Sequence, residues 1–166
     1  MGTTNKKKKL EYCFVESFIK CYQLKQTAQA NKTQPLWAVQ ASGSNQSTYA
    51  DCEIVYDNRV VKIEAKRLQD GHNNSGSFYN LIGELIGVIN KPSLLRTKGV
   101  TVEDVVIGIL IPENSKSTFD ELWNDNIKPN GIKYCNAFNI KHLITFDETS
   151  KNIQFFSFDE EKDEWK

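Results

Sequence analysis

The sequence has no long apolar run, and this absence limits where the protein can reside. No stretch approaches the ~20 apolar residues that a membrane-spanning helix needs, and the N-terminus lacks the apolar core of a signal peptide. We therefore expect a cytoplasmic protein with no membrane partner. Repeats and low-complexity segments are also lacking, and 166 residues with 39% hydrophobic content suffice for one core. Residues 1–166 are therefore expected to form a single domain.

Cysteine and histidine are too few and too scattered to suggest a zinc site or a disulfide framework. The four cysteines are Cys13, Cys21, Cys52 and Cys135. They contain no C-x-x-C pair, and each sits among apolar residues, so we expect small buried side chains. His72 and His142 add no spacing typical of metal ligands.

The chain also lacks a surplus of either charge, because 21 Lys and Arg residues balance 21 Asp and Glu residues. No global positive field draws it onto nucleic acid, so any such binding must come from a local patch. The obvious patch is the lysine run at residues 6–9, although such a run is also typical of a solvated tail. We expect a flexible basic N-terminus over residues 1–8 and a flexible charged tail over residues 159–166.

Hydrophobic periodicity and chain breakers predict helices that alternate with strands. Residues 7–30 indicate an amphipathic helix, and residues 50–56 and 60–67 indicate a strand hairpin around Asp57 and Asn58. The other predicted elements are a short strand at 35–39, a polar loop at 42–47, a helix at 78–90, a central buried strand at 104–111, a helix at 119–126, and strands at 143–146 and 153–158. This order predicts an α/β fold, with α+β as the alternative label, in which helices cover a mixed sheet.

The predicted hairpin places charged residues on one face of the sheet. With a two-residue turn at Asp57 and Asn58, Asp51 lies directly across from Glu64. Because side chains alternate along a strand, Lys66 shares the face of Glu64. A three-residue loop would set Asp51 opposite Ala65 and mix polar with apolar residues on both faces. The pattern therefore favours the two-residue turn.

Two opposed carboxylates need a positive charge between them. Directly opposed Cβ atoms lie ~4.5–5.5 Å apart, and carboxylates at that distance repel each other. Mg²⁺ would resolve this conflict, since it favours a few carboxylate oxygens, polarises a phosphate and lowers the pKa of bound water. Lys66 would hold the attacking water and stabilise charge on the phosphate. The alternative is a solvent-facing hairpin in which Glu53 pairs with Lys62 and the other charges have no special role.

Acidic residues on both long helices are further candidates. Glu11 lies within the apolar stripe that contains Leu10, Phe14, Val15, Phe18 and Tyr22. It would either face the metal or be exposed near the helix N-terminus, where negative charge is favourable. Glu16, on the opposite face, is the fallback. On the second helix, Glu84 clusters with Asn80, Gly83 and Gly87, and it is a candidate for a supporting role.

The order of these features resembles that of the PD-(D/E)XK nuclease superfamily, which includes type II restriction endonucleases and archaeal Holliday-junction resolvases. A helix that bears Glu is followed by Asp, by Glu-x-Lys in an apolar strand, and then by a helix and a buried strand, over roughly residues 7–112. Ala50 stands where the family often has Pro. The resemblance implies a restriction-endonuclease-like mixed central sheet flanked by helices. It also implies that Asp51, Glu64 and the backbone carbonyl of Ala65 bind Mg²⁺, with Mn²⁺ as a substitute, that Lys66 assists the water, and that Glu11 completes the site.

The resulting hypothesis is a metal-dependent endonuclease that hydrolyses DNA, with RNA as the second candidate substrate, in restriction, defence or DNA processing. The expected nucleic-acid contacts are Ser42, Ser44, Asn45, Ser47, Lys62 and Arg67. Enzymes that cut both strands of a duplex commonly use two active sites, so a homodimer or larger complex is expected. Two alternatives stay open: an inactive nuclease-fold module that binds nucleic acid or a protein, and a subunit that cuts only within a complex.

Overall fold

The computed structural model describes residues 2–29, 36–68, 74–102 and 104–166, with the side chains of residues 2–5 and 7 left out. His72, the predicted helix end at residue 30 and the predicted strand start at residue 35 lie outside the described residues.

Six strands form one mixed sheet in the order β1, β2, β3, β4, β5, β6. Their bounds are Ala38–Gln40, Cys52–Tyr56, Arg59–Ala65, Asp104–Pro112, Ile140–Phe146 and Ile153–Phe156. Strands β3, β4 and β5 pair in parallel, whereas the outer pairs are antiparallel. The predicted mixed sheet is thus confirmed, and β4 is central, as its Val- and Ile-rich run predicted.

Helices cover both faces of this sheet, which makes the fold α/β. The helices are α1 Gly2–Gln29, α2 Ser75–Val88, α3 Leu94–Thr97, α4 Lys116–Asn126 and α5 Gly131–Ala137. On one face, Phe14 and Phe18 of α1 pack against Ile63 of β3. On the other face, residues of α2, α4 and α5 pack against Ile107 and Ile109 of β4. In the described ranges, no helix is long and apolar enough to cross a membrane.

Gly108 permits close packing at the centre of the sheet. A Cβ atom at this position would lie 2.8 Å from Cγ1 of Val61 and 3.5 Å from Cδ1 of Ile144. The first distance is shorter than a normal van der Waals contact, so a larger residue would force the Val61 side chain or the backbone of β4 to shift. A side chain at this position would therefore disturb the strand that carries the candidate site.

The β2–β3 hairpin has the predicted register. Tyr56 pairs with Arg59, and the ladder continues to Cys52 opposite Ile63. Asp57 and Asn58 both have positive φ, of 49° and 55°, as a two-residue turn of this hand requires. Asp51 and Glu64 are the next residues after the last pair, so they meet where the ladder ends.

Helix α1 extends into the N-terminal residues for which a flexible segment is expected. The described helix α1 begins at Gly2 and therefore includes residues 6–9. Burial along α1 starts only at Phe14, and Leu10 is 45% exposed, because the first turns of the helix lie beyond the apolar cluster. Cys13 is exposed in this part of the helix, contrary to the expectation, whereas the other three cysteines are buried; all four are free thiols.

The charged C-terminus is folded rather than a flexible tail. Phe158–Asp159 (β7) and Glu164–Trp165 (β8) form a small antiparallel hairpin. The ring of Trp165 is buried, with its centroid 5.4 Å from that of Trp123 and 5.2 Å from that of Phe158. The expectation was wrong because one aromatic side chain anchors the segment despite the charge around it.

Candidate active site

Two acidic side chains meet at the end of the β2–β3 ladder. Oδ2 of Asp51 accepts a hydrogen bond from the backbone N–H of Ala65 at 2.9 Å. The side chain of Glu64 is only 4% exposed, and its contact with Asp51 raises the pKa of Glu64. The structure therefore brings together the two acids that the register predicted.

The backbone of Ala65 faces the same place. Its N–H points to Asp51, whereas the N–H of the next residue, Lys66, donates to the carbonyl of Leu110 in β4 at 2.9 Å. In an extended strand the N–H and C=O of one residue point to the same side. The carbonyl of Ala65 is therefore directed to the side of Asp51.

The surroundings of Glu64 act against its ionisation. Burial raises the pKa of Glu64 to about 9, and the nearby Asp51 carboxylate raises it further, while the Lys91 ammonium acts in the opposite direction. A cation bound between the two carboxylates would oppose this effect.

Lys66 lies between the two helical layers. Its ammonium is 3.3 Å from Oε2 of Glu84 on α2 and 3.8 Å from Oε1 of Glu11 on α1, and the Lys66 side chain is 14% exposed. Three elements from different parts of the sequence therefore converge on this ammonium. Glu84, the candidate for a supporting role, is the acid nearer to this ammonium.

Of the two candidate acids on α1, Glu11 faces the site. Burial raises the pKa of Glu11, Lys66 lowers it, and Asp51 raises it. The backbone N–H of Arg67 also lowers the pKa of Glu11. Glu16 instead pairs with Lys20 at 3.3 Å, where both side chains are exposed. The fallback residue is thus excluded from the site by its position on the helix.

An open cleft of about 210 Å³ gives access to three acidic side chains of the site. Glu11, Asp51 and Glu84 line it together with Lys8 of α1 and Gln46 of a 3-10 turn. The predicted phosphate-contacting residues Ser42, Ser44, Asn45 and Ser47 are exposed in and beside this turn. Lys6 and Lys9 are exposed on the helical rim near Lys8.

Lys62 is not available to nucleic acid, contrary to the prediction. Lys62 is only 5% exposed, and burial lowers the pKa of its ammonium. Nζ donates to the carbonyls of Val88, Ile89 and Lys91 at 2.7, 3.3 and 2.9 Å. These carbonyls lie at the end of α2 and in the turn that follows it, where helical hydrogen bonding stops.

Glu53 is buried in the same way, which rules out the solvent-facing hairpin. Glu53 is only 1% exposed. Its carboxylate accepts hydrogen bonds from Oγ of Ser93 and from the backbone N–H groups of Leu94 and Leu95, at 2.7, 2.8 and 2.9 Å. The charged face of the hairpin therefore lies beneath α2 and α3.

Arg67 is largely occupied by protein contacts. Its guanidinium lies 3.2 Å from Oε2 of Glu148 and 5.5 Å from the ring centroid of Phe14. It lines a second cavity of about 370 Å³, together with Glu113 and Asp147. A contact with nucleic acid would have to compete with these carboxylates.

Lys91 belongs to the site, although no sequence motif pointed to it. Its Nζ lies 3.3 Å from Oε1 of Glu64, across 27 positions of the chain. The residue follows α2 in a turn without periodicity, so only the folded backbone shows this contact.

Comparisons with known proteins add little to this picture. No protein-family model matches the chain. No curated protein matches it. It is similar to the crystal structure of an FdxN element excision controlling factor protein from Anabaena variabilis, with 17% sequence identity and a TM-score of 0.45 over 84% of this chain and 98% of that one. We therefore assign the chemistry of the site from its own side chains.

Proposed function

We propose that the protein is a metal-dependent nuclease of the PD-(D/E)XK type that hydrolyses DNA. The observation that carries this proposal is the convergence of four residues at one end of the sheet. Glu64 is hydrogen-bonded to Asp51, and Lys66 lies beside Glu11 within the same group of charges. This is the set of residue types that the resemblance assigns to phosphodiester hydrolysis.

The donor set fits a hard divalent cation. The carboxylates of Asp51 and Glu64 and the carbonyl of Ala65 offer oxygen ligands only, which suits Mg²⁺ or Mn²⁺. In the described part of the chain, no three His, Cys, Asp or Glu side chains are gathered as a metal-binding group. Mg²⁺ does not require such a group, because it keeps several waters. When bound, it would lower the pKa of a coordinated water and polarise the phosphate.

The charge of the cleft supports metal dependence independently. Glu11, Asp51 and Glu84 line it, and all three are carboxylates. A phosphodiester brought among them would be repelled unless a cation offset their charge. The Lys66 ammonium supplies one positive charge and serves as a hydrogen-bond donor to a water or phosphate oxygen. Its carboxylate neighbours hold this ammonium in place.

The two rims of the cleft offer contacts for a nucleic-acid backbone. Lys8 lies on the helical rim, and Lys6 and Lys9 are exposed on the same part of α1. Exposed serine hydroxyls lie on the opposite rim around the 3-10 turn at Gly43–Gln46. Contacts of these kinds fix the register of a phosphate backbone without reading its bases.

The test compares cleavage and metal binding in the same variants. We expect the wild type to cleave supercoiled, linear, single-stranded or branched DNA with Mg²⁺ or Mn²⁺ and not with EDTA. Asp51→Asn should lose both cleavage and Mn²⁺ binding, whereas Lys66→Met should lose cleavage and keep Mn²⁺ binding. Glu16→Gln is the matched control and should retain both. Undiminished cleavage by Asp51→Asn and Lys66→Met would refute the assignment.

A second candidate is a nuclease subunit that cuts only with a partner that supplies DNA affinity. The equal numbers of acidic and basic residues favour this candidate, because the chain has no net charge to attract DNA. It predicts Mn²⁺ binding that depends on Asp51, together with no cleavage by the isolated chain. Cleavage of plasmid by the purified protein would exclude it.

A further inference from the structure

Lys91 provides a cation for the most buried acid of the site. Its Nζ lies 3.3 Å from Oε1 of Glu64, which is hydrogen-bonded to Asp51. The side chain of Glu64 is 4% exposed, whereas that of Lys91 is 27% exposed. A carboxylate this deeply buried beside another carboxylate is costly without a positive partner. Lys91 is such a partner when no metal ion is bound.

The backbone around Lys91 is held by two buried, oppositely charged residues. Glu53 and Lys62 face each other across β2 and β3. Lys62 donates to the carbonyl of Lys91 itself and to that of Val88 before it. Glu53 accepts from Ser93 and from the two N–H groups that follow, at the start of α3. The turn is therefore fixed on both sides of Lys91.

We propose that Lys91 is a positioning residue that competes with a metal ion for Glu64, and that Glu53 and Lys62 act on the site through it. This inference rests on the proposed metal site at Asp51 and Glu64. Without metal, the ammonium holds Oε1 of Glu64 and offsets the negative charge of the Asp51–Glu64 pair. With a dication on those carboxylates, the ammonium faces a like charge and loses its hold on Glu64.

Competition of this kind has two opposite consequences. Lys91 stabilises the metal-free protein, because it neutralises buried negative charge. It also weakens metal binding, because the ion must displace or tolerate the ammonium. A residue with a purely structural role would lower stability when replaced, but it would not raise metal affinity.

The test measures Mn²⁺ affinity and stability in the full chain. Mn²⁺ binding is followed by the electron paramagnetic resonance signal of the free ion, and unfolding is followed in EDTA and at saturating Mn²⁺. We expect Lys91→Gln to bind Mn²⁺ roughly tenfold more tightly, the factor that loss of one charge-assisted contact represents. Its Tm should fall in EDTA, and this deficit should shrink at saturating Mn²⁺. Lys91→Arg should resemble the wild type, as should Lys98→Gln, which alters an exposed lysine beyond α3.

A double-mutant cycle tests whether Lys62 acts through Lys91. We expect Lys62→Met to tighten Mn²⁺ binding in the wild-type background and to have no such effect in the Lys91→Gln background. Its effect on unfolding should be the same in both backgrounds, because the α2 carbonyls lose their donor in either case. If Lys62→Met does not fold, Glu53→Gln replaces it in the same cycle.

The outcomes separate this inference from the proposed function. If Asp51→Asn abolishes Mn²⁺ binding while Lys91→Gln leaves it unchanged or weaker, competition by Lys91 is refuted and the metal site stands. If the wild type binds no Mn²⁺, both proposals are refuted.

Discussion

The carboxylate of Glu11 lies 3.8 Å from the ammonium of Lys66, although Glu11 belongs to α1 and Lys66 directly follows β3, 55 positions later in the chain. The backbone N–H of Arg67, the residue after Lys66, lowers the pKa of Glu11. Helix α1 therefore contacts the chain directly after β3 through one acid. This contact and the one with Glu84 fix the position of the Lys66 ammonium.

Replacement of Glu11 should impair cleavage without removing the metal site. Glu11→Gln loses the charge that holds Lys66, and a misplaced catalytic group costs on the order of 10-fold to 100-fold in rate. Glu16→Gln on the same helix should have no effect, because Glu16 pairs with Lys20 in solvent. Initial cleavage rates at saturating Mn²⁺ measure both variants. Equal rates for the two would show that the Glu11–Lys66 contact is unimportant.

The stability of the metal-free protein should fall as pH rises toward 9. Burial and Asp51 raise the pKa of Glu64 from 4.5 to about 9, so the folded protein holds this proton more strongly than the unfolded chain. The stabilisation that this proton on Glu64 provides is fully present below pH 4.5 and is lost as pH rises through about 9. Glu64→Gln cannot ionise and should show a weaker decline in this range. Urea denaturation in EDTA at several pH values measures the free energy of unfolding of the wild type and of Glu64→Gln. Parallel declines in the two proteins would contradict the expectation.

His142 should make the protein sensitive to acid. It is buried beside Tyr56, and its two ring nitrogens are buried without a hydrogen-bond partner among the described residues. Burial lowers its pKa, and the nearby Arg59 lowers it further. The folded state thus disfavours the proton, so stability is full above pH 6.5 and falls as pH decreases below it.

His142→Phe removes this titration and an unsatisfied polar group. We expect it to gain ~1–3 kcal/mol at neutral pH if the ring fits, and to lose less stability than the wild type on acidification. Urea denaturation at neutral and mildly acidic pH compares the two proteins. An equal loss on acidification would assign the acid sensitivity to other groups.

The C-terminal hairpin should contribute measurably to stability. Trp165 is buried against Trp123 and Phe158, so Trp165→Ala should cost ~3–5 kcal/mol, as is typical of large aromatic deletions in a core. Glu164→Ala changes an exposed neighbour on the same strand and should stay within ~0.5 kcal/mol of the wild type. Urea denaturation measures both. A negligible effect of Trp165→Ala would mean that the tail is frayed in solution.

Periodicity predicted the long elements well and the short ones poorly. The central strand and the α2 and α4 helices were predicted because their apolar spacing extends over many residues. The short helices α3 and α5 and the C-terminal hairpin were missed, because each depends on contacts with distant residues. The start of α3 shows this clearly, since its first N–H groups are satisfied by Glu53, 41 positions away.

The sequence by itself determined the hairpin register and hence the meeting of Asp51 with Glu64. The period of a strand is two, so any other register would have exposed apolar side chains and buried polar ones without partners. The alternation of side chains also places Lys62 on the face that Lys66 shares with Glu64. Only the tertiary structure separated them: α2 ends above Lys62 and buries its ammonium beneath carbonyls, whereas Lys66 lies beyond the strand, within reach of Glu11 and Glu84. The same placement of α2 brought Lys91 to Glu64, because helix ends are positioned by packing rather than by local spacing.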